Sequence, residues 1–284
     1  MTDNAEFKIH LDDMVKKIKD LPTLPEVAME MLQNLEDEES SLDMVTEKIA
    51  MDHSITAKLL RLANSSYYGN NSKVVTLQQA TAMLGIKNVK NLIRVTTLAN
   101  KFPTANCPGF NFKAFWRHSI ATAVCAEQIS RTLHMKHDFA FTAGLLHDLG
   151  RLVLVTCYPA NYDEVLRYQA YTDADLLVAE RSIMHIDHVD AGLALATHWN
   201  FSEAVCDAIR GHHHPEQENL HVLASVVHIA NAIVHALDLS HDENDRLPLL
   251  SQSAWDTLGL GEADYLSIFH ETEMRFDALD QIVL

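Results

Sequence analysis

Six side chains that can bind a metal ion are spread through the middle of this 284-residue chain. Five of the six are histidines and one is an aspartate: His118, the adjacent pair His147 and Asp148, His188, and the adjacent pair His212 and His213. Imidazole and carboxylate ligands together suit iron, manganese, nickel or zinc, and a carboxylate shared by two ions permits a dinuclear centre. The six residues therefore predict a site for one or two divalent transition-metal ions.

Both adjacent pairs are predicted to lie where helices end. Gly150 follows the His147–Asp148 pair, and Pro215, which cannot continue a helix, follows the His212–His213 pair. Neighbouring residues within a helix point about 100° apart, so two of them converge on one ion only at a helix end. Gly150 is expected to take the left-handed conformation that terminates a helix.

The His147–Asp148 pair alone has a second interpretation. A histidine beside an aspartate is as readily a structural hydrogen-bonded pair as a pair of ligands. Isolated histidines such as His10, His53 and His134 are interpreted as surface or hydrogen-bonded polar residues. The metal prediction therefore depends on the six residues taken together.

The composition excludes several classes of function. The chain is 48% hydrophobic, with a formal net charge of −17, which argues against nucleic-acid binding and against an anionic membrane surface. The basic stretch from Lys87 to Arg94 is short and is interpreted as a solvated helix face. No leader and no apolar run long enough to span a membrane is expected, so a cytoplasmic location is predicted. The four scattered cysteines are predicted to be free thiols.

The fold class is predicted to be all-α, with two helical lobes. Glycine (9 residues) and proline (7 residues) are sparse and fall where helices should stop. Pro103, Pro108 and Gly109 indicate a boundary between lobes. We expect an N-terminal lobe over residues 1–110, a core with the metal ligands over 111–240, and a C-terminal helical extension over 241–284 that packs on the body.

Helical periodicity predicts short amphipathic helices in the first lobe. Thr76 is expected to cap one of them, and Gly85 is expected to end it. The predicted spans are Glu26–Leu35, Leu42–Met51, Ser54–Asn64, Leu77–Leu84 and Asn88–Lys101.

The order His118, His147, Asp148 resembles that of the HD superfamily of metal-dependent phosphohydrolases. Motifs in the first lobe are similar to those of the HDOD domain: Leu21-Pro-x-Leu-Pro25, Leu59-Leu-x-Leu-Ala-Asn-Ser65, Tyr68-Gly69 and Ala80-x-x-x-Leu84-Gly85. The resemblance as a whole spans about residues 20–240. The resemblance implies an all-helical bacterial signalling or regulatory module. It also implies that a partner protein in a signalling pathway binds the first lobe.

His188 followed by the His212–His213 pair resembles the ligand order of the HD-GYP subfamily, which are cyclic-di-GMP phosphodiesterases with two or three metal ions. Three departures stand out. Asn231 lies where the superfamily has its last aspartate, Arg151 replaces the lysine after the His-Asp motif, and the Gly-Tyr-Pro signature is absent. The last departure argues against cyclic-di-GMP as the substrate.

Each remaining departure has a chemical consequence. Asn231 would be a seventh ligand with a neutral oxygen, which binds more weakly than a carboxylate and does not offset cationic charge. His228 or His235, on a nearby helical face, could take its place. Arg151 keeps the positive charge of lysine but not its point-charge geometry. It could bind a substrate phosphate or form a surface salt bridge.

Three functions fit these residues. The first is a metal-dependent phosphohydrolase acting on a nucleotide or another phosphoester, with Asp148 bridging the ions and Arg151 as a catalytic residue. The second is a catalytically inactive protein-interaction module in which the metal site is vestigial or structural. The third is a module that senses a metal or is stabilised by one, without turnover.

Overall fold

The computed structural model describes residues 9–21, 29, 52–68, 73–102, 105–135 and 139–283. These residues are all-helical, as predicted, and no strand occurs among them. The helices are α1 (Leu11–Lys19), α2 (His53–Ala63), α3 (Leu77–Lys101), α4 (Phe112–Thr132), α5 (Phe139–Leu146), α6 (Leu149–Cys157), α7 (Pro159–Thr172), α8 (Leu176–Met184), α9 (His188–His198), α10 (Glu203–Gly211), α11 (Leu223–Ala236), α12 (Gln252–Leu258) and α13 (Glu262–Val283).

Side-chain caps fix where helices α2 and α3 begin. The Asp52 carboxylate accepts hydrogen bonds from the backbone N–H groups of Ser54 and Ile55 at the start of α2. Thr76 and Gln79 form a reciprocal capping box at the start of α3, which confirms the predicted cap. These bonds satisfy backbone donors that have no partner within the helix.

Gly85 ends the first helical segment of α3, as predicted. Its backbone is non-helical, with φ +75° and ψ 157°, so α3 consists of two helices joined across a kink, and the second contains the predicted span Asn88–Lys101. Glycine is the residue that adopts this conformation without a steric penalty. The predicted helix Glu26–Leu35, apart from Met29, and the predicted helix Leu42–Met51 lie outside the described residues.

Helix α4 lies at the centre of the fold. Its side chains are buried almost without interruption from Ala114 to Ser130, and it packs against α5, α11 and α13. A helix that is buried on every side is a core helix. This position places His118 inside the protein, where its side chain is 4% exposed.

Glycines allow the helices that hold the candidate ligands to approach closely. A Cβ atom at Gly150 would lie 1.8 Å from the carbonyl oxygen of His188, so the backbones of α6 and α9 touch there. A Cβ atom at Gly144 would lie 2.8 Å from Ala123 Cα, between α5 and α4. The prediction that Gly150 ends a helix is wrong, because Gly150 is the second residue of α6 and lacks a positive φ. Its small size serves helix packing instead.

The segment Phe139–Cys157 is long and apolar enough to span a membrane by composition, contrary to the prediction that no run reaches this length. It is 89% buried in the fold, and the His147–Asp148 turn divides it into α5 and α6. Such burial is typical of the core of a soluble protein. Both faces of these helices are apolar because other helices cover them.

The last two helices follow the polar loop after α11. Helix α13 packs against α4 and α2, and the Arg117 guanidinium on α4 forms an ion pair with Asp280 on α13. The boundaries expected at residues 110 and 240 stay predictions. All four cysteines are free, as predicted, with Cys107 and Cys125 buried.

Candidate metal centre

The six predicted ligands come from four places in the fold and lie close together. His118 projects from α4, the His147–Asp148 pair forms the turn between α5 and α6, and His188 is the first residue of α9. The His212–His213 pair directly follows α10. The close contact of α6 with α9 at Gly150 brings Asp148 and His188 together. Helix ends therefore position five of the six ligands.

Asp148, His188, His212 and His213 form the first cluster. One ligand atom from each lies within 4.8 Å of every other. Asp148 Oδ1 is 3.5 Å from His188 Nε2 and 3.4 Å from His212 Nε2, and His188 Nε2 is 2.9 Å from His213 Nε2. Four nitrogen or oxygen donors around one centre suit a first-row transition ion.

His118, His147 and Asp148 form the second cluster under the same 4.8 Å criterion. The Nε2 atoms of His118 and His147 are 3.2 Å apart, and His147 Nε2 is 3.7 Å from Asp148 Oδ1. Asp148 is therefore common to both clusters. A carboxylate in that position is the ligand that can bridge two ions.

The orientation of two histidine rings is fixed by backbone carbonyls. Nδ1 of His147 donates to the Gly144 carbonyl oxygen at 2.7 Å, and Nδ1 of His212 donates to the Ile209 carbonyl oxygen at 2.8 Å. A carbonyl oxygen only accepts, so each Nδ1 bears the proton and each Nε2 of the neutral ring bears a lone pair. Histidine metal ligands typically have such a partner on the nitrogen that does not bind metal.

Glu180 on α8 orients the third ring. Its Oε2 accepts from His188 Nδ1 at 2.7 Å and from the His188 backbone N–H at 2.8 Å, and its Oε1 accepts from the Tyr162 hydroxyl at 3.0 Å. Glu180 is fully buried. A buried carboxylate hydrogen-bonded to an imidazole increases the basicity of the nitrogen that faces the metal.

The convergence of lone pairs shows that these residues fit a cation. His147 Nε2, His212 Nε2 and the Asp148 carboxylate are all acceptors, and they face one another in the protein interior at 3.4 to 3.7 Å. Buried acceptors without a donor or cation between them are costly. Spacings of about 3 Å between neighbouring donor atoms match ligands bound to one ion at about 2.1 Å. The donor set therefore fits one or two transition ions.

The electrostatics favour the metal-binding protonation states of His118, His147, His213 and Asp148, whereas those around His188 favour its protonated form. Burial lowers the pKa of His147 to about 4 and lowers those of His118 and His213 well below the usual value. Burial would raise the pKa of Asp148, but His147, His212 and Arg151 outweigh it and hold that pKa well below its usual value. Burial opposes protonation of His188 as well, yet Glu180 raises its pKa. Neutral imidazoles around an ionised carboxylate are the metal-binding forms.

Arg151 lies against the cluster rather than in a surface salt bridge. Its Nη1 donates to Asp148 Oδ2 at 3.0 Å, and its Nε donates to the Tyr162 hydroxyl at 3.4 Å. The guanidinium also lies over the Phe110 and Phe115 rings, 5.7 and 5.8 Å from their centroids. Arg151 therefore contacts the oxygen of Asp148 that is not shared with the histidines, and its side chain is 21% exposed.

Asn231 is buried on α11, and its Oδ1 has no hydrogen-bond partner in the described part of the chain. His235 lies one turn later on the same face of α11, and its ring lies 4.6 Å from that of His118. Asn231 thus lies on the helix face that packs against the second cluster. A buried amide oxygen without a donor is compatible with a cation ligand.

Several residues that complete this site were not singled out from the sequence. Glu180 and Tyr162 orient His188 and Arg151, and the Asp245 carboxylate pairs with the imidazole of His235. His228, the other candidate to replace Asn231 as a ligand, donates from Nδ1 to the His212 carbonyl oxygen at 2.7 Å. It therefore helps to hold the backbone of His212 in place. The sequence gives little indication of the role of Glu180, because Glu180 is a single acidic residue that follows the apolar run 176–179.

A comparison with protein families finds a match over most of the chain. A sequence profile of the HDOD domain matches residues 21–215. An uncharacterized protein of Treponema pallidum (strain Nichols) is 26% identical over 226 residues, which cover 78% of this chain and 44% of that protein. The chain therefore spans less than half the length of this relative.

Solved structures have the same fold. An HDOD domain protein from Geobacter sulfurreducens superposes with a TM-score of 0.81 at 22% identity, covering 97% of this chain and all of the other. A proposed phosphohydrolase from Shewanella amazonensis SB2B superposes with a TM-score of 0.74 at 24% identity, covering 95% and 98% of the two chains. At these identities the similarity concerns the fold alone.

Proposed function

Because the chain belongs to the HDOD family, we propose that it is a bacterial signalling protein with a two-ion HD-type metal site that hydrolyses a phosphoester. The observation that supports this most directly is that Asp148 belongs to both ligand clusters. A shared carboxylate is what a dinuclear hydrolytic site requires.

The residues around the shared carboxylate have separable tasks. Bound divalent ions would supply a Lewis acid that polarises a phosphoryl oxygen and activates water. Gly144, Ile209 and Glu180 hold the His147, His212 and His188 rings with their lone pairs inward. Arg151 is the catalytic cation in this proposal, since it combines positive charge with partial exposure at the edge of the site.

Access is limited to one side of the cluster. His147, His188 and His212 are fully buried, whereas His213 and Arg151 are partly exposed. A phosphate group would therefore approach over these two residues. The small exposed area favours a small phosphomonoester or the end of a nucleotide over a large substrate.

A second function has a specific observation in its favour. Asn231 replaces an acid, and all but one of the six ligands are almost fully buried. A neutral ligand leaves more uncompensated cationic charge, and a closed site admits substrate poorly. The alternative is a signalling module whose ions are structural or sensed, with a partner protein bound at the first lobe in the cytoplasm.

The first experiment is metal content by plasma mass spectrometry on untagged protein purified without chelators. We expect one to two equivalents of iron, manganese, nickel or zinc in the wild type, and loss of most of the metal in Asp148→Asn and His188→Ala. The matched control is His214→Ala, since His214 adjoins the ligand pair in sequence but its side chain is 61% exposed. Background metal in the wild type would refute the metal site.

The second experiment separates the enzyme from the metal-bearing module. Metal-loaded protein is assayed with nitrophenyl phosphate and bis-nitrophenyl phosphate in the presence of each ion. Arg151→Gln should retain metal and lose about 100-fold in turnover, as expected for a cation that stabilises transition-state charge. Asn231→Asp should raise metal occupancy. Stoichiometric metal without turnover in any variant would favour the signalling module.

A further inference from the structure

A small pocket with a mostly apolar lining lies where helix α13 meets the first lobe, and none of the candidate metal ligands lines it. It is lined by Tyr68 after α2, Asn88 and Asn91 on α3, Phe141 on α5 and Arg275 on α13. The empty space is about 300 Å³ including the mouth, but only a narrow part admits a water-sized particle. Any occupant is therefore small.

Two guanidinium groups beside this pocket share one carboxylate. Oε1 of Glu127 is 2.7 Å from Arg131 Nη2, and Oε2 of Glu127 is 2.6 Å from Arg275 Nη2. Arg131 is 48% exposed and is screened by solvent, but Arg275 is only 6% exposed. The buried guanidinium of Arg275 therefore depends on a carboxylate that it shares with Arg131.

The guanidinium of Arg275 also has a donor without a partner. Its Nη1 is buried and makes no hydrogen bond to the described residues. Leaving a charged donor unsatisfied in the interior costs more than leaving a neutral one. Since Arg275 lines the pocket, this N–H group calls for an acceptor inside it.

Tyr68 offers a second donor to the same space. Burial raises the pKa of its hydroxyl to about 12, so the group stays protonated. The neighbouring Tyr67 hydroxyl is engaged, since it donates to Glu271 Oε2 at 3.3 Å. The two asparagines are engaged as well: Asn91 Nδ2 donates to Glu127 Oε2 at 3.4 Å, and Asn88 Nδ2 donates to the Leu84 carbonyl oxygen at 2.8 Å. Arg275 and Tyr68 are therefore the groups free to bind a ligand.

We propose that the pocket between Tyr68 and Arg275 binds one small monovalent anion, a halide or a carboxylate of the size of formate. The unpartnered Arg275 N–H and the Tyr68 O–H donate to it. The anion adds to the counter-charge of Glu127, which Arg275 shares with Arg131. The site is separate from the metal cluster and does not depend on the proposed phosphohydrolase activity.

Crystals of the full chain soaked in bromide test the position of the anion. We expect an anomalous peak within hydrogen-bond distance of Arg275 Nη1 and the Tyr68 hydroxyl. A parallel soak in formate, without halide, distinguishes the two sources by the shape of the density. An ordered water in both soaks, or bromide at surface sites only, would overturn the proposal.

Thermal unfolding in solution tests the affinity. At constant ionic strength, the apparent affinity for bromide or formate, relative to the larger sulfate dianion, should fall about tenfold in Tyr68→Phe, because a hydrogen bond to a charged ligand is lost. Tyr171→Phe is the matched control, since Tyr171 is 92% exposed. Arg275→Gln should abolish the stabilisation by bromide or formate. If Arg275→Gln does not fold, the comparison of Tyr68→Phe with the control still tests the site. Equal anion dependence in Tyr68→Phe and Tyr171→Phe would refute the site.

Discussion

The metal cluster and the Arg275 pocket are two buried polar regions with opposite deficits. Around Asp148, imidazole lone pairs and a carboxylate face one another with too few donors. Around Arg275, two guanidiniums share the single carboxylate of Glu127, and one N–H group has no acceptor. The first region calls for a cation and the second for an anion. Unsatisfied polar atoms in a protein interior therefore indicate the charge of a ligand as well as its place.

The two regions also differ in how they are held. Backbone carbonyls and Glu180 orient the histidines from outside the cluster, so the ligand atoms are fixed before an ion binds. At Arg275 the orienting group, Glu127, is itself part of the charge balance. A change at Glu127 should therefore alter stability and ligand affinity together. At the metal cluster, a change in an orienting group should alter ligand affinity separately from stability.

The largest expected effect is at Glu127. Glu127→Gln removes the carboxylate from a buried pair and should lower the free energy of unfolding by about 3–5 kcal/mol in urea titrations. Arg131→Gln is the control and should cost less than about 1 kcal/mol, because Arg131 is half exposed. Bromide should stabilise Glu127→Gln more than the wild type, since the variant lacks the carboxylate beside Arg275. Equal costs for both variants would argue against the dependence of Arg275 on Glu127.

The Glu127→Gln variant also tests how the contribution of Glu127 to stability depends on pH. Burial would raise the pKa of Glu127, but Arg275 and Arg131 outweigh it and lower that pKa below the usual 4.5. Its stabilisation is therefore present above pH 4.5 and is lost as the pH falls through the folded-state pKa. The stability difference between wild type and Glu127→Gln should be constant near neutrality and shrink in acid. A difference that grows on acidification would contradict the pair.

Gly150→Ala should disrupt the metal cluster without changing a ligand. The added Cβ would lie 1.8 Å from the His188 carbonyl oxygen, so α6 and α9 must separate. We expect a loss of about 3 kcal/mol in chemical denaturation, together with loss of metal. Gly261→Ala, where the nearest atom to the new Cβ is 3.5 Å away, should stay within about 0.5 kcal/mol. Normal metal content in Gly150→Ala would show that the cluster does not need this contact.

Glu180→Gln tests the orientation of His188. The amide keeps the shape but loses the charge that increases the basicity of the imidazole, so metal affinity should fall about 10–100-fold. Competition with a chromophoric chelator measures this affinity directly. Glu164→Gln on the exposed face of α7 is the control. Unchanged affinity would mean that Glu180 is a structural partner only.

Thr76→Ala should have the smallest effect. It removes the side-chain cap of α3, the helix that contributes Asn88 and Asn91 to the Arg275 pocket. A lost cap costs about 1 kcal/mol, which thermal unfolding resolves. Thr76→Ser, which keeps the hydroxyl, should restore the stability. No difference between the two variants would show that the cap contributes little here.

The sequence alone predicted much of the candidate metal site because the candidate ligands are histidines and an aspartate that occur as adjacent pairs at predicted helix ends. The adjacent His147–Asp148 and His212–His213 pairs, together with Gly and Pro positions, predicted both the ligands and the helical fold. The break at Gly85 was predicted because it depends on the local backbone. The role of Gly150 was not predicted, because Gly150 packs against α9, which is distant in the sequence.

The sequence by itself determined the all-helical class and six residues of types that can bind a cation, since both follow from local periodicity and side-chain chemistry. Only the tertiary structure decided that Asp148 is common to two clusters and that Glu180 orients His188. It also decided that Glu127 is shared by Arg131 and Arg275, which are ordinary charged residues in the sequence. The physical reason is burial: the cost of an unpaired charge depends on which distant helices exclude water from it.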